Sequence, residues 1–337
     1  MLDKNSRDPK VDIFRLLMAS LVLATHFLNP FVGFSFYAFG TGGFFIAAGY
    51  FCFANPQHCY SNAGFILMRI IRLYPAYIIA LFGYLLIKPK LDEQWLLILV
   101  QHGLLLLTVT SKSEVFYFNP PFWCIPSFVE FFIFFAFIRD RYDPVKLFTL
   151  SFAFVITMKL TSQGAPEWLR LHFPYYAYAF FLGGVIQKVC SESVPWPWWL
   201  PPPGVAAILC VALVVGLGSL FEWIGEARLA ELPGWRFYHE LCVFLHGGTL
   251  LCLLYTPWKN GQGRFLTEIA RAGFSIYLFH ILILREVQLY LNGISGLLVA
   301  IILTIGLAVA IQRMIENPIR RWGKRLGQRF LAPSHRA

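Results

Sequence analysis

Val11-Asp12-Ile13-Phe14-Arg15-Leu16-Leu17-Met18-Ala19-Ser20-Leu21-Val22-Leu23-Ala24-Thr25-His26-Phe27 is the first strongly apolar stretch of the chain, and its reading decides the fold. Apolar residues dominate it, and Arg15 and His26 are its most informative exceptions. Their eleven-position spacing makes about three helical turns, so both side chains lie on one face, roughly 16 Å apart along the axis. If that helix crosses a bilayer, the arginine sits near one interface and the histidine deep in the hydrocarbon. An ionisable residue at that depth is costly, faces protein or water rather than lipid, and marks a functional site.

Working outward, the whole chain shares this character. It is 58% hydrophobic and 18% aromatic with only 14% charged residues, and its mean hydropathy is +0.61. A soluble domain has about a quarter charged residues. Apolar runs of about twenty residues recur from end to end, as bilayer thickness requires. No cleavable signal peptide and no internal repeat is evident. These features predict an all-α polytopic integral membrane protein, with residues 1–337 forming one membrane domain.

Charge then places the spans. Apolar segments near 11–29, 36–54, 69–87, 122–138, 145–160, 173–189, 204–221, 237–257, 270–290 and 295–315 predict about ten transmembrane helices. Basic residues cluster between them, at Lys4, Arg7 and Lys10, at Arg69 and Arg72, and in the Arg139 to Lys146 and Lys259 to Arg264 loops. The tail adds Arg320, Arg321, Lys324, Arg325, Arg329 and Arg336. The positive-inside rule puts all of these on the cytoplasmic side, with both termini. The net charge of +10 therefore reports orientation and gives no sign of nucleic-acid binding. One segment, 95–109, disturbs the count: a full crossing there would move the Arg139 to Lys146 loop outside. A re-entrant or interfacial segment removes the conflict; eleven spans with one basic loop outside is the alternative.

Several short motifs, in order, resemble those of the membrane acyltransferase-3 family. Arg15-x10-His26 is similar to its first helix, and Gly43-Phe44-Phe45-Ile46-Ala47-Ala48-Gly49-Tyr50 to its second-helix F-F-x-x-S-G-[FY], with Ala48 in place of serine. Arg69-Ile70-Ile71-Arg72-Leu73-Tyr74-Pro75 matches R-x-x-R-x-x-P. Tyr277-Leu278-Phe279-His280 resembles a late Y-x-x-H, and Glu316-Asn317-Pro318 a terminal E-x-P. The W-S-L-x-x-E motif is met only loosely, by Trp123 to Glu130, two positions longer. The resemblance covers residues 15 to 318. It implies transfer of an acyl group, usually acetyl from acetyl-CoA, to a hydroxyl of an envelope polysaccharide or lipid-linked sugar at the bacterial inner membrane.

The residues themselves suit that chemistry. A sugar hydroxyl attacks a thioester well only when a positioned base removes its proton, and a neutral imidazole accepts one. His26 is the candidate base. Arg15 keeps its charge and is suited to a phosphate, a pantetheine amide or a carboxylate partner. Arg69 and Arg72, three apart, share a helix face and offer two guanidinium forks to CoA phosphates; the plainer alternative is that they only satisfy the positive-inside rule. Glu130, Trp123, Tyr277 and His280 are further substrate-lining candidates.

Other features read as structural. The seven cysteines carry no C-x-x-C pair and read as small hydrophobes with free thiols. No cluster has metal-site spacing, so no metal is expected. His239, Glu240 and His246 open the eighth apolar segment as satisfied interfacial residues, and Trp196, Trp198 and Trp199 among prolines form a stiff interfacial loop. The rival function is a transporter or flippase of a polysaccharide or lipid-linked glycan, in which the intramembrane His, Arg and Glu line a path. No inverted repeat supports it.

Overall fold

The computed structural model describes residues 8–32, 40–54, 61–87, 93–105, 117–118, 120–139, 141–161, 169, 172–224, 237–257 and 264–330. Among them every regular element is helical. In chain order these are α1 (Pro9–Val32), α2 (Thr41–Ala54), α3 (Asn62–Ile87), α4 (Trp95–Gly103), α5 (Cys124–Ile138), α6 (Pro144–Thr161) and α7 (Phe173–Ser191). There follow α8 (Pro203–Ile224), α9 (Tyr238–Tyr255), α10 (Arg264–Arg271), α11 (Gly273–Gln288), α12 (Gly293–Ile311) and α13 (Asn317–Phe330). A 3-10 turn, Pro120–Trp123, leads into α5, and a π turn, Gln312–Glu316, joins α12 to α13.

Each predicted apolar segment contains a helix. By length and hydropathy alone, five described helical stretches are long and apolar enough to cross a membrane: Asn62–Ile87, Pro121–Ile138, Pro144–Thr161, Pro203–Leu220 and Gly293–Gly323. A sixth is reached if Phe265–Arg271 and Gly273–Gln288, bent by 71° at their junction, count as one span. Among the described residues, helix length and hydropathy thus support five or six of the ten expected spans. Within 95–109, α4 has nine residues; at about 1.5 Å per residue it is too short to cross a hydrocarbon core of about 30 Å. Residues 106–109 lie outside the described ones.

Local sequence explains where several helices begin. Asp8 before Pro9 and Asp143 before Pro144 are the same device. The aspartate carboxylate accepts a backbone N–H of the first turn, from Lys10 at 2.9 Å and from Val145 at 2.7 Å, while proline at the first helical position has no N–H to satisfy. Ser61 does this for α3, its hydroxyl accepting the Gly64 N–H at 3.1 Å.

The chain forms two compact units: Met1–Ala54 with Ala179–Phe274, and Asn55–Tyr178 with Ser275–Ala337. In the first, α1 packs on α2, α9 and α10, and α9 on α8 and α2. Helix α2 is buried along most of its length, and its glycines permit this. A Cβ on Gly43 would lie 2.3 Å from the Met18 sulfur of α1, one on Gly42 2.6 Å from Val243 of α9, and one on Gly49 1.8 Å from the Phe180 carbonyl oxygen. Gly183 answers Gly49, its absent Cβ 2.0 Å from the Ile46 carbonyl oxygen. With lipid tails as apolar as leucine, close backbone approach through small residues is what holds such helices together. Lys10 Nζ donates to the Leu254 carbonyl at 2.7 Å and the Tyr255 hydroxyl to the Val194 carbonyl. These tie the start of α1, the end of α9 and the Trp-Pro loop at one end of the unit.

In the second unit α3 packs on α5, α13 and the π turn. Tyr77 and Tyr84 of α3 hold Phe122 between ring centroids 5.0 and 5.5 Å away. Tyr74 donates to the Gly103 carbonyl at 2.5 Å, and the Tyr77 hydroxyl lies 3.0 Å from His102 Nδ1, which docks α4 on α3. Phe65 of α3 meets Phe135 of α5 at 5.7 Å, and Gly323 of α13 lies against Ile71. The basic start of α3, the end of α5 and α13 thus share one end of this unit.

Candidate functional site

Helix α1 carries the first group of candidates. Arg15 Nη1 lies 3.6 Å from Asp12 Oδ1, one turn earlier, with side chains only 12% and 1% exposed. The carboxylate partner allowed for Arg15 is therefore its own helix neighbour. An ion pair this buried persists when the two charges compensate each other, and removing one leaves the other stranded. His26 is half-buried further along. Between them Thr25, fully enclosed, donates its hydroxyl to the Leu21 carbonyl at 2.9 Å.

The other candidates lie in the second unit. Arg69 is 8% exposed, its guanidinium carbon 5.0 Å from the Phe65 ring centroid and 5.5 Å from that of Phe132. Its Nε and Nη2 have no hydrogen-bond partner among the described residues. Arg72, one turn on, is half-buried, and Pro75 follows inside the helix, where it removes one backbone hydrogen bond.

Glu130 is spoken for on both oxygens. Oε2 accepts the Phe173 N–H at 2.9 Å and Oε1 lies 3.1 Å from His172 Nδ1. A carboxylate at the first N–H groups of a helix caps it and complements its dipole, so Glu130 anchors the start of α7. Trp123 packs on Tyr176, ring centroids 5.4 Å apart. Tyr277 donates to the Pro121 carbonyl at 3.0 Å and accepts from the Cys124 thiol at 3.3 Å. It therefore fastens α11 to the 3-10 turn. His280 Nδ1 lies 2.7 Å from the Tyr277 carbonyl oxygen. Only an N–H can donate to a carbonyl, so Nδ1 carries the proton, and in the neutral ring Nε2 holds the lone pair.

The structure thus ties Tyr277 to the turn ending at Trp123, turns His280 Nδ1 toward the Tyr277 carbonyl, and joins Glu130 to His172. Arg15 and His26 belong to one unit; Arg69, Arg72, Trp123, Glu130, Tyr277 and His280 belong to the other. Sequence reading passed over His172, which no spacing links to a glutamate 42 residues earlier. It also passed over Ser275, whose hydroxyl donates to Glu316 in the π turn. A π turn inside a helix often marks a functional site, but it leaves no clear trace in composition. Six of the cysteines (52, 124, 190, 210, 242 and 252) are free thiols.

Apolar helices with buried arginines and histidines at their ends and middles define a helical membrane protein built around intramembrane polar groups. Residues 8–313 match the acyltransferase-3 family, described as an acyltransferase domain, and the chain belongs to that family. The match runs through both units and stops within the π turn, short of Glu316. It establishes membrane acyltransferase character in general terms. No curated protein and no solved structure matches the chain.

Proposed function

We propose that this protein is an O-acetyltransferase of the bacterial inner membrane, with both termini cytoplasmic. In this reading it moves an acetyl group from cytoplasmic acetyl-CoA to a hydroxyl of an envelope polysaccharide or lipid-linked sugar. The observation that carries the reading is His26, half-buried on α1 three turns beyond the enclosed Asp12–Arg15 pair, in a chain whose family transfers acyl groups.

The chemistry follows from those groups. The imidazole of His26 takes the proton of the acceptor hydroxyl as its oxygen attacks the thioester carbonyl. The carbon–sulfur bond then breaks, and the CoA thiolate leaves and is reprotonated. A positioned base contributes about 10²–10⁴-fold to such a step. Arg15 supplies a permanent positive charge near the thioester, oriented by Asp12. Arg69 and Arg72 hold CoA phosphates; the unmatched N–H donors of buried Arg69 support this, because a buried cation without acceptors is costly. Glu130, Trp123, Tyr277 and His280 are the further substrate-lining candidates.

The test is an assay of purified protein in lipid with radiolabelled acetyl-CoA and a panel of envelope glycans. Label is expected on an O-ester of a glycan. Protein that binds a glycan yet neither transfers nor hydrolyses the acetyl group would overturn the reading.

A further inference from the structure

Two arginines distant in sequence share one aromatic ring in the second unit. The guanidinium carbon of Arg69 lies 5.0 Å from the Phe65 centroid, and that of Arg139, just past the end of α5, lies 5.2 Å from the same centroid. Phe65 is fully buried and Phe132 nearly so. The negative face of an aromatic ring offsets part of a cation's lost hydration, but two like charges at one ring also repel. More than nine-tenths of Arg69 is buried, and its Nε and Nη2 find no acceptor among the described residues. A ring offers no lone pair to those N–H groups. The unmatched donors of Arg69 suit an anion with several oxygens.

We infer that Arg139 joins Arg69 in a two-guanidinium site for a phosphate group, the donor coenzyme's in the reading above, on which this rests. Phe65 and Phe132 flank the Arg69 guanidinium, their centroids 5.0 and 5.5 Å from its central carbon. A phosphate presents several acceptor oxygens to two planar forks, a match that neither a thioester nor a sugar hydroxyl offers. Arg139 lies outside the R-x-x-R-x-x-P motif, so its part in recognition is legible only from the packing of α5 on α3. The expected consequence is selectivity for the phosphorylated donor over its phosphate-free portion. An anionic lipid headgroup carries the same chemistry and is the other source of a phosphate.

The experiment measures binding of CoA and of pantetheine, which lacks phosphate, to full-length protein in nanodiscs of zwitterionic lipid. It is repeated with phosphatidylglycerol added, and melting temperatures verify folding. Arg139→Gln is expected to weaken CoA binding about 10- to 100-fold, the worth of a charge-assisted contact, and to leave pantetheine unchanged. Arg139→Lys is expected to fall between, because charge survives and the fork is lost. Equal CoA affinity in Arg139→Gln and the parent, or a parallel loss for CoA and pantetheine, overturns the inference and leaves the donor reading standing. A parent that does not bind CoA overturns both. If Arg139→Gln binds CoA normally but loses retention of phosphatidylglycerol, the site belongs to lipid and the inference is wrong.

Discussion

His26 is where proton transfer and simple packing make different predictions. His26→Ala is expected to fold, insert and bind CoA, yet lose acyl transfer by about 10²–10⁴-fold. His26→Gln keeps a hydrogen-bonding amide but takes up no proton near neutral pH, so it should be nearly as inactive. A base must be unprotonated to act, so parent activity rises with pH through the histidine's titration, and the glutamine variant lacks that limb. Substantial turnover by His26→Gln would move the base elsewhere, first to His280, whose tautomer leaves Nε2 basic. Asp12 tests the neighbouring pair. Asp12→Asn strands the charge of Arg15, which is 12% exposed, and breaking such a pair costs about 3–5 kcal/mol. A melting temperature equal to the parent's would show that Arg15 is held by something other than Asp12. Arg72→Ala should weaken CoA binding by about 2–5 kcal/mol, with Arg72→Lys intermediate; unchanged affinity in a folded Arg72→Ala would reduce that arginine to a topology signal.

Among elements, α2 shows most clearly what sequence conceals. Its glycine-rich run reads as a motif, yet the reason for glycine lies in other helices: Met18 and Phe14 of α1, Val243 of α9 and the backbone at Phe180 of α7. Gly49→Ala places a methyl 1.8 Å from a carbonyl oxygen, and backbone cannot swing aside as a side chain does. The helices must separate, at a cost of about 1–3 kcal/mol or more. Gly216→Ala on α8, with nothing within 4 Å of the added carbon, is the control. It should be neutral or stabilising by up to about 1 kcal/mol through helix propensity. Equal melting temperatures for the two variants in detergent would show that the contact between α2 and α7 is not tight. The Glu130 carboxylate teaches a related lesson: its contacts with His172 and the Phe173 N–H join segments that no local pattern connects.

For the molecule as a whole, the testable question is sidedness. Within the first unit the starts and ends tied by Lys10 and Tyr255 lie together. Within the second, Arg69 and Arg139 meet at one ring. The expectation of a single basic, cytoplasmic face rests on the order of charges along the chain. Single cysteines in a cysteine-free background, probed with impermeant maleimide on intact spheroplasts, check this. Position 228, outside the described residues, should label and position 141 should not. Labelling at 141 without 228 would invert the topology.

Hydropathy, charge order and short motifs are local properties, and they were enough to read an all-helical membrane chain, the positions of its apolar helices and its family. The face shared by Arg15 and His26 was legible for the same reason, since one helix sets both positions. Which residues meet across helices is another matter. It depends on packing between segments far apart in the chain, where no periodicity constrains the partner. Only the tertiary structure could seat Arg139 on the same ring as Arg69, commit Glu130 to the start of α7 and press Gly49 against Phe180. Those pairings arise when buried helices choose the neighbours that let their backbones and unmatched polar groups fit.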